Sequence, residues 1–282
     1  MTETSTRKNK HSLDLLMIVD DAAIASYVSE RGVDKLFVDL ETLGKEERQG
    51  HLDTVRSVQT PETLTTIREA VPDAHVLVRV NPLHQNSLAE IDDVVARGAD
   101  SVMLPMFRDA DALARFLDYL GGRAIPLPLF ETQGSLDSLG AILQRGGFKT
   151  AHIGLNDLHI DRGDSFILEP LVDKVLDEPC RAFQEAGVDF GIGGIARAGE
   201  GAVPPELLLA EHVRLGSSAA ILSRSFHRQA SSLDELAKMD FFSEVAKIHD
   251  VYSSISSLSN EALVELCGQV LQSINCVIRS KK

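Results

Sequence analysis

Residues 75–106 read HVLVRVNPLHQNSLAEIDDVVARGADSVMLPM, and this stretch contains the unit on which the predicted fold is built. Two short apolar runs, His75–Asn81 and Ser101–Met106, have the Val- and Leu-rich composition of strands that are buried on both faces. Between the runs, Ser87-Leu-Ala-Glu90 has the form of a helix capping box, and Arg97-Gly98 is typical of a helix end. The stretch therefore predicts a strand, a helix and a second strand.

The same alternation occurs along most of the chain. Six further runs share the apolar character: Leu13–Asp20, Lys35–Glu41, Ile125–Glu131, Ala151–Leu158, Asp189–Ile195 and His212–Leu222. Eight successive strand–helix units predict an α/β fold, a (β/α)8 TIM barrel over residues 12–229. A doubly wound open sheet is the competing fold, but no G-x-G-x-x-G motif follows the first run.

The sequence between the runs marks several helix starts. Asp21, Asp109 and Ser135 are candidate N-caps, and Thr60 precedes a proline at the first helical position. Residues 159–176 are expected to form a long loop before a helix that begins near Asp177.

The two ends of the chain depart from the barrel pattern. Residues 1–11 are polar and basic without an apolar signal-peptide segment, and we expect a disordered leader there. Residues 230–282 are predicted to be helical, with a break in the Ser/Asn-rich segment Ser253–Asn260. Their apolar stripe consists of Leu263, Leu266, Val270, Leu271 and Ile274. It fits either a helical cap on the barrel or an oligomerisation arm, and we expect a homo-oligomer.

Composition excludes several classes of function. A formal net charge of -14 argues against a nucleic-acid or anionic-membrane surface, because both require clustered basic charge. An anionic substrate must then be attracted locally, by a cationic side chain or a metal. No apolar run approaches the ~18 residues of a membrane span. The three cysteines, Cys180, Cys267 and Cys276, form no C-x-x-C pair, which indicates inert thiols and a cytoplasmic location.

Two acidic residues stand where a barrel enzyme carries its active site, at the carboxyl ends of the strands. Glu131 and Asp157 each follow an apolar run, on neighbouring strands five and six, so that their carboxylates can converge. Two carboxylates, together with water and substrate oxygens, are ligands that Mg2+ or Mn2+ accepts. The pair predicts a divalent-metal site; the alternative is that both are helix N-caps or surface carboxylates.

Arg79 lies inside the apolar run Val-Leu-Val-Arg-Val-Asn. Arginine is seldom buried without a partner, and its planar guanidinium suits bidentate binding of a carboxylate. Arg79 is therefore a candidate to bind a substrate carboxylate, and a salt bridge to Asp39 or Glu41 is the alternative.

The glycine-rich segment Gly191–Gly201 (GIGGIARAGEG) supports a different function. Together with Leu215-Gly-Ser-Ser218 it occupies the loops after strands seven and eight, where barrels often bind phosphate through backbone amides. Gly194 is a candidate substrate-binding residue on this basis. The corresponding alternative is a lyase or isomerase that binds a phosphate or CoA ester at the Gly194 and Gly216 loops.

Five motifs give the chain a family resemblance. It resembles the HpcH/HpaI aldolase and citrate lyase β-subunit family over residues 13–226. The motifs are Phe-Val-Asp-Leu-Glu41, Val-Arg79-Val-Asn, Ser-Val-Met-Leu-Pro105-Met, Pro-Leu-Phe-Glu131-Thr and Ile-Gly154-Leu-Asn-Asp157-Leu. Their order, and the 26 residues by which Asp157 follows Glu131, make the set specific.

The resemblance implies a metal-dependent carbon–carbon lyase or aldolase that acts on a 2-oxo acid such as pyruvate or oxaloacetate. By this resemblance Glu131 and Asp157 bind Mg2+ or Mn2+, and Arg79 holds the 2-oxo acid and stabilises its enolate. Gly154 and Asn156 are expected to shape the floor of the substrate site.

One position departs from the family pattern. Thr42 follows Glu41, where the aldolase branch carries a catalytic histidine and the CoA-ester lyase branch an aspartate. The general base is therefore open among His51, Asp53 and His159, and Glu41 and His51 are assigned to catalysis with Arg79. Thr42 also keeps open a catalytically inactive barrel used for binding.

Overall fold

The protein is described by a computed structural model that covers residues 12–44, 59–197, 199–227, 230 and 232–281. Eight parallel strands form a closed barrel in chain order, with the last strand paired to the first. The strands are β1 (Asp14–Ile18), β2 (Lys35–Asp39), β3 (His75–Arg79), β4 (Ser101–Leu104), β5 (Ile125–Phe130), β6 (Thr150–Ile153), β7 (Asp189–Ile195) and β8 (Ala219–Leu222). The predicted TIM barrel is confirmed, while the predicted leader, residues 1–11, lies outside the described residues.

Helices alternate with the strands around the barrel and continue after β8. They are α1 (Ala22–Ser29), α2 (Pro61–Ala70), α3 (Ser87–Ala96), α4 (Ala110–Leu120), α5 (Gln133–Asp137), α6 (Leu139–Arg145), α7 (Leu155–Arg162), α8 (Glu169–Val172), α9 (Asp177–Glu185), α10 (Pro205–Leu215), the 3-10 helix Arg224–His227, α11 (Leu233–Ala237), α12 (Phe241–Ser256) and α13 (Asn260–Lys281). None of these helices is long and apolar enough to cross a membrane within the described ranges.

The barrel interior changes from apolar to charged along the strands. Its apolar part consists of Leu16, Phe37, Leu77, Met103, Leu127 and Leu129, which pack together. Side chains alternate between the two faces of a strand, so the next interior position lies two residues further on. These next positions hold Asp39 on β2, Arg79 on β3 and Glu131 after β5. The sequence thus places charged groups next to an apolar layer of the barrel interior, on the side of the carboxyl ends of the strands.

Two predicted strands were too long. The run Ala151–Leu158 covers β6 from its second residue, but Leu155–Leu158 belongs to α7, whose own buried leucines continue the apolar pattern. The run His212–Leu222 begins in α10 and becomes a strand only at Ala219. Gly216 separates the two elements, because its φ of 76° ends the helix in the left-handed conformation that glycine tolerates.

The residues predicted as one long loop, 159–176, contain the end of α7 and the short helix α8, so that prediction was wrong. Pro170 stands at the start of α8, and Leu171 is buried against the core. This apolar packing orders the segment. The sequence of the segment shows no extended hydrophobic periodicity.

Helix starts were predicted with mixed success. Asp21 and Asp109 cap α1 and α4, each accepting a hydrogen bond from a backbone N–H three residues on. Ser135 is not an N-cap, because Thr132 begins α5 instead. The capping box at Ser87 is also wrong: α3 has Asn86 as its N-cap, and the Glu90 carboxylate is bonded elsewhere.

The C-terminal helices pack on the barrel's own outer layer. Helices α12 and α13 both contact α10, and α13 also contacts α8. Val270 and Ile274 are fully buried, and Leu263 and Leu266 pack against the same apolar cluster. Four residues of the predicted apolar stripe are therefore buried or packed within the chain, and the fifth, Leu271, is half-buried. The choice between a helical cap and an oligomerisation arm, like the homo-oligomer, stays a prediction.

Candidate active site

Arg79 and Asp39 form the centre of the polar site. The two residues are register partners on β3 and β2, which brings their side chains together inside the barrel. The Arg79 Nε and Nη2 atoms donate to the two carboxylate oxygens of Asp39 at 2.9 and 2.8 Å. Glu41 lies on the same guanidinium, with Oε2 at 3.4 Å from Nε. The salt bridge considered as the alternative for Arg79 is thus present, while its substrate role stays a prediction.

This arrangement holds a permanent positive charge on a side chain that is only 14% exposed. Burial alone would lower the pKa of Arg79, but the charge and hydrogen bonds of Asp39, with the charge of Glu41, raise it above its ordinary value. Asp39 is fixed in turn, because its backbone N–H donates to Gln59 Oε1 at 2.9 Å. Its Oδ1 accepts from the Glu41 N–H at 3.2 Å. The pair of carboxylates therefore orients the guanidinium.

Glu131, directly after β5, is buried and positioned from two sides. Its Oε1 accepts a hydrogen bond of 3.0 Å from the backbone N–H of Met106. Met106 has a φ of 55°, an uncommon conformation for a residue with a side chain. Gly154 lies on the other side, where a Cβ atom would come within 2.8 Å of Glu131 Oε2. The absence of a side chain at Gly154 thus makes room for the carboxylate.

Asp157 is the second buried carboxylate of this region. It lies in the first turn of α7, with only 6% of its surface exposed. Burial, followed by the negative charge of Asp157, raises the pKa of Glu131 well above its usual range, while the charge of Arg79 acts in the opposite direction. The two predicted metal ligands are therefore close enough to repel each other electrostatically.

Glu131 and Asp157 fit a hard divalent cation. No group of three or more His, Cys, Asp and Glu side chains within the described ranges is arranged to hold a metal ion. A two-carboxylate site is nevertheless one that Mg2+ uses, since the ion keeps several water or substrate oxygens among its six ligands. A cation between the two buried carboxyl groups would also offset their mutual repulsion. The donor set thus matches Mg2+ or Mn2+ and does not match a closed zinc site.

Of the remaining predicted site residues, one lies beside Asp157 and the others lie apart or outside the described residues. Asn156 is partly buried in the first turn of α7, next to Asp157. Gly194 is exposed near the end of β7, where the pairing with β8 is shifted by an irregularity. His159 is bonded through Nδ1 to the carbonyl of Leu155 in its own helix, at 3.3 Å. His51 and Asp53 lie outside the described residues.

The glycine-rich segment does not present its arginine to a ligand. Arg197 is buried, and its Nε donates to the carbonyl of Phe226 at 3.0 Å. Its Nη2 donates to the carbonyl of Met239 at 3.1 Å. Arg197 thus joins the end of β7 to the C-terminal helices. Because its guanidinium makes these bonds, it does not act as a cation in the proposed phosphate site.

A polar network beside Thr42 was missed in the sequence. Asn81 Oδ1 accepts hydrogen bonds from the backbone N–H groups of Thr42 and Leu43, at 2.8 and 2.9 Å. Its Nδ2 donates to Glu90 at 2.7 Å, and the other Glu90 oxygen lies 3.0 Å from His84 Nε2. The network holds the chain that follows Glu41. Asn81 in the strand-three motif is the available signal, but in the sequence Glu90 also matches the pattern of a helix cap.

His152 lies inside the barrel beneath the mouth. Burial lowers its pKa to about 4, so the ring is neutral at neutral pH. Its Nε2 lies 3.1 Å from the carbonyl of Gly193, to which it donates as a neutral ring. Gly191 leaves the space that the ring fills, because a Cβ there would lie 2.3 Å from His152 Nδ1. His152 therefore packs β6 against β7.

Comparison with known proteins identifies the fold. No protein-family model and no curated protein matches the chain. A solved HpcH/HpaI aldolase/citrate lyase family protein from Burkholderia cenocepacia J2315 is 17% identical, with 77% of this chain and 90% of that chain covered and a TM-score of 0.59. The HpcH/HpaI aldolase from Desulfitobacterium hafniense DCB-2 is 16% identical, with 89% and 95% covered and a TM-score of 0.57.

The citrate synthase SbnG is also similar, at 15% identity over 76% of this chain and 86% of its own, with a TM-score of 0.56. Identities this low support a common fold and leave the activity open. The barrel is structurally similar to those of the HpcH/HpaI aldolase/citrate lyase family, as the strand-end motifs indicated.

Proposed function

We propose that this protein is an enzyme that forms or breaks a carbon–carbon bond next to the carbonyl group of a 2-oxo acid of the pyruvate or oxaloacetate type. The observation that carries the proposal is the buried pair Glu131 and Asp157, together with the guanidinium of Arg79 in the same barrel mouth. The similar structures are named as aldolases and as a citrate synthase, which supports carbon–carbon chemistry.

Glu131 and Asp157 would hold Mg2+ or Mn2+. The bound ion would supply Lewis-acid stabilisation of the negative charge that develops on the substrate. Glu131 is pre-oriented for this role, because the Met106 N–H fixes one oxygen and the bare backbone of Gly154 leaves room for the other. Gly154 and Asn156 would form the floor beside these carboxylates.

Arg79 would stabilise the enolate of the 2-oxo acid. Its charge lies in a low-dielectric interior, where a pre-oriented cation acts more strongly than in water. Asp39 occupies both Nε and Nη2, so a substrate carboxylate would bind the remaining edge of the guanidinium. Asp39 and Glu41 would hold the Arg79 guanidinium in place through the reaction.

The proton-transfer groups remain part of the proposal. Thr42 is held by Asn81, through both its backbone N–H and its hydroxyl. Glu41 is a carboxylate in contact with Arg79, and His51 stays a candidate base alongside it. A cytoplasmic homo-oligomer without nucleic-acid or membrane partners completes the proposal, and the solution mass of the purified protein tests its oligomeric part.

The test is deuterium exchange at the methyl group of pyruvate, followed by proton NMR in D2O. We expect exchange that needs Mg2+ or Mn2+, stops with chelator, and is lost in Glu131→Ala and Asp157→Ala. Glu185→Ala is the matched control, because this glutamate is 73% exposed on α9. Full exchange in either active-site variant, with the fold verified by circular dichroism, would contradict the assignment.

A further inference from the structure

An exposed arginine lies at the carboxyl end of the barrel, in the loop whose Met106 N–H bonds the Glu131 carboxylate. Arg108 is in the loop after β4, and 55% of its side chain is exposed. Asp39, Glu41, Glu131 and Asp157 are all buried in the mouth, and Arg79 is the cation set among them. A substrate with a second negative group would therefore need a cation outside this centre.

The backbone around Arg108 is fastened to the end of β5. Met106 donates its N–H to Glu131, and the next carbonyl, that of Phe107, accepts from the Thr132 hydroxyl at 2.7 Å. The Arg108 carbonyl would lie 3.0 Å from a Cβ at Gly134, so it rests directly on the start of α5. Three consecutive loop residues, 106–108, thus contact the segment of chain that begins with Glu131.

The side chain of Arg108 is oriented by Asp161. The guanidinium is paired through Nη1 and Nη2 with the two oxygens of this carboxylate. Asp161 lies one helical turn after Asp157 on α7, and it accepts a 2.8 Å hydrogen bond from the Gln133 N–H. Asp161 is therefore fixed both by Gln133, two residues after Glu131, and by its place one turn after Asp157. The outer N–H groups of the guanidinium are left for a ligand.

Other arginines near the strand ends are less suited to this task. Arg197 is buried and bound to backbone carbonyls, and Arg162 is paired with Asp164 and Asp173. Arg224 is exposed but follows β8, three strands from β5, whereas β4 and β5 are neighbours. Of the arginines near the strand ends in the part of the chain that the structure describes, Arg108 is thus the exposed one whose loop is bonded to Glu131.

We propose that Arg108 determines specificity by binding a carboxylate on the second substrate, so that the enzyme prefers a negatively charged carbonyl compound as partner of the 2-oxo acid. This inference rests on the proposed function. In the condensation direction, the pyruvate methyl carbon loses a proton and attacks the aldehyde carbon. The new carbon–carbon bond forms, the carbonyl electron pair moves to oxygen, and that oxygen takes up a proton. No oxidant or reductant is required.

The test compares glyoxylate with glycolaldehyde, two aldehydes of the same carbon number of which only the first is charged. Condensation with pyruvate is measured for the wild-type protein, Arg108→Ala, Arg108→Lys and the control Arg115→Ala, which removes an exposed charge from α4. In Arg108→Ala we expect the kcat/KM ratio of glyoxylate to glycolaldehyde to fall about 10- to 100-fold, mainly through KM. Arg108→Lys should recover part of the ratio, and Arg115→Ala should keep it.

The outcomes separate this inference from the proposed function. An equal loss for both aldehydes in Arg108→Ala would overturn the specificity role and indicate a structural one. Pyruvate exchange in the wild-type protein without preference for glyoxylate, including use of neither aldehyde, would also overturn it while the proposed function stands. Absence of pyruvate exchange in the wild-type protein would remove both.

Discussion

Arg79, the last residue of β3, and Arg197, two residues after β7, occupy comparable places at the carboxyl ends of strands and have different roles. Arg79 is bonded to the carboxylates of Asp39 and Glu41, which keep its charge within the mouth. Arg197 is bonded to the neutral carbonyls of Phe226 and Met239, which tie the barrel to the C-terminal helices. The chemistry of the partners, and not the strand-end position, separates a candidate catalytic cation from a structural one.

The largest expected effect comes from Arg79→Lys. An ammonium group cannot reproduce the bidentate bond to Asp39, so the cation would move away from the reacting group. We expect the rate of pyruvate exchange to fall by about 100-fold or more, as when a transition-state donor is removed. The rate is measured at saturating Mn2+ and pyruvate.

The same replacement at the other arginine is the matched control. Arg197→Lys leaves at least one backbone carbonyl without its donor, so we expect a loss of about 1–3 kcal/mol in the free energy of unfolding. The exchange rate per folded molecule should stay within about twofold, a ratio worth only a few tenths of a kcal/mol. Equal losses of exchange rate in the two variants would contradict the assignment of different roles to the two arginines.

A smaller effect is expected from Gly154→Ala, which disturbs the candidate metal site without removing a ligand. The new methyl group would lie 2.8 Å from Glu131 Oε2 and 2.9 Å from Glu131 Cβ, so the carboxylate must shift. We expect Mn2+ affinity, measured by titration calorimetry, to fall about 10- to 100-fold, as for lost support of a metal ligand. Gly140→Ala is the control, because a Cβ there meets nothing within 4 Å. Unchanged Mn2+ affinity in Gly154→Ala would count against Glu131 as a ligand.

The smallest effect expected near neutral pH is on the free energy of unfolding. It comes from two buried histidines, one inside the barrel and one on α10. Burial lowers the pKa of His152 to about 4 and that of His212, on α10, to about 3. Below pH 6.5 the unfolded chain binds protons at these residues and the folded protein does not, so stability is lost as pH falls from 6.5 towards 4. The slope is at most about 1.4 kcal/mol per pH unit for each histidine.

Urea unfolding between pH 7.5 and 5 measures this slope. His152→Gln and His212→Gln should each reduce it, the first by changing the barrel interior and the second by changing the layer under the C-terminal helices. A free energy of unfolding that does not depend on pH over this range would show that neither histidine is neutral in the folded protein and charged in the unfolded chain.

The fold was predictable because its signal is local. A strand of a barrel is buried on both faces, so each one produces a short apolar run, and eight such runs with helices between them leave few architectures. Even the errors at β6 and β8 have a local cause, since buried leucines of α7 and α10 continue or precede the strands. Periodicity does not separate a buried strand from the buried face of an adjoining helix.

The site was predictable in its members and less so in their partners. Asp39, Arg79 and Glu131 interrupt or end apolar runs, and that interruption is visible without coordinates. The use of Glu90 by Asn81 was not visible, because Ser87 and Glu90 also match the pattern of a helix cap. Arg108 had no sequence signal, since its significance depends on Asp161, 53 residues away.

The sequence by itself determined the alternation of strands and helices, the charged residues at the strand ends and the acidic character of the chain. Those properties depend on residue type and on spacing over a few positions. Only the tertiary structure decided that Arg79 faces carboxylates while Arg197 faces backbone carbonyls, and that α13 packs against α10. Hydrogen bonds and packing join residues that are distant in the chain, and only the pairing of the strands and the packing of the helices bring them together.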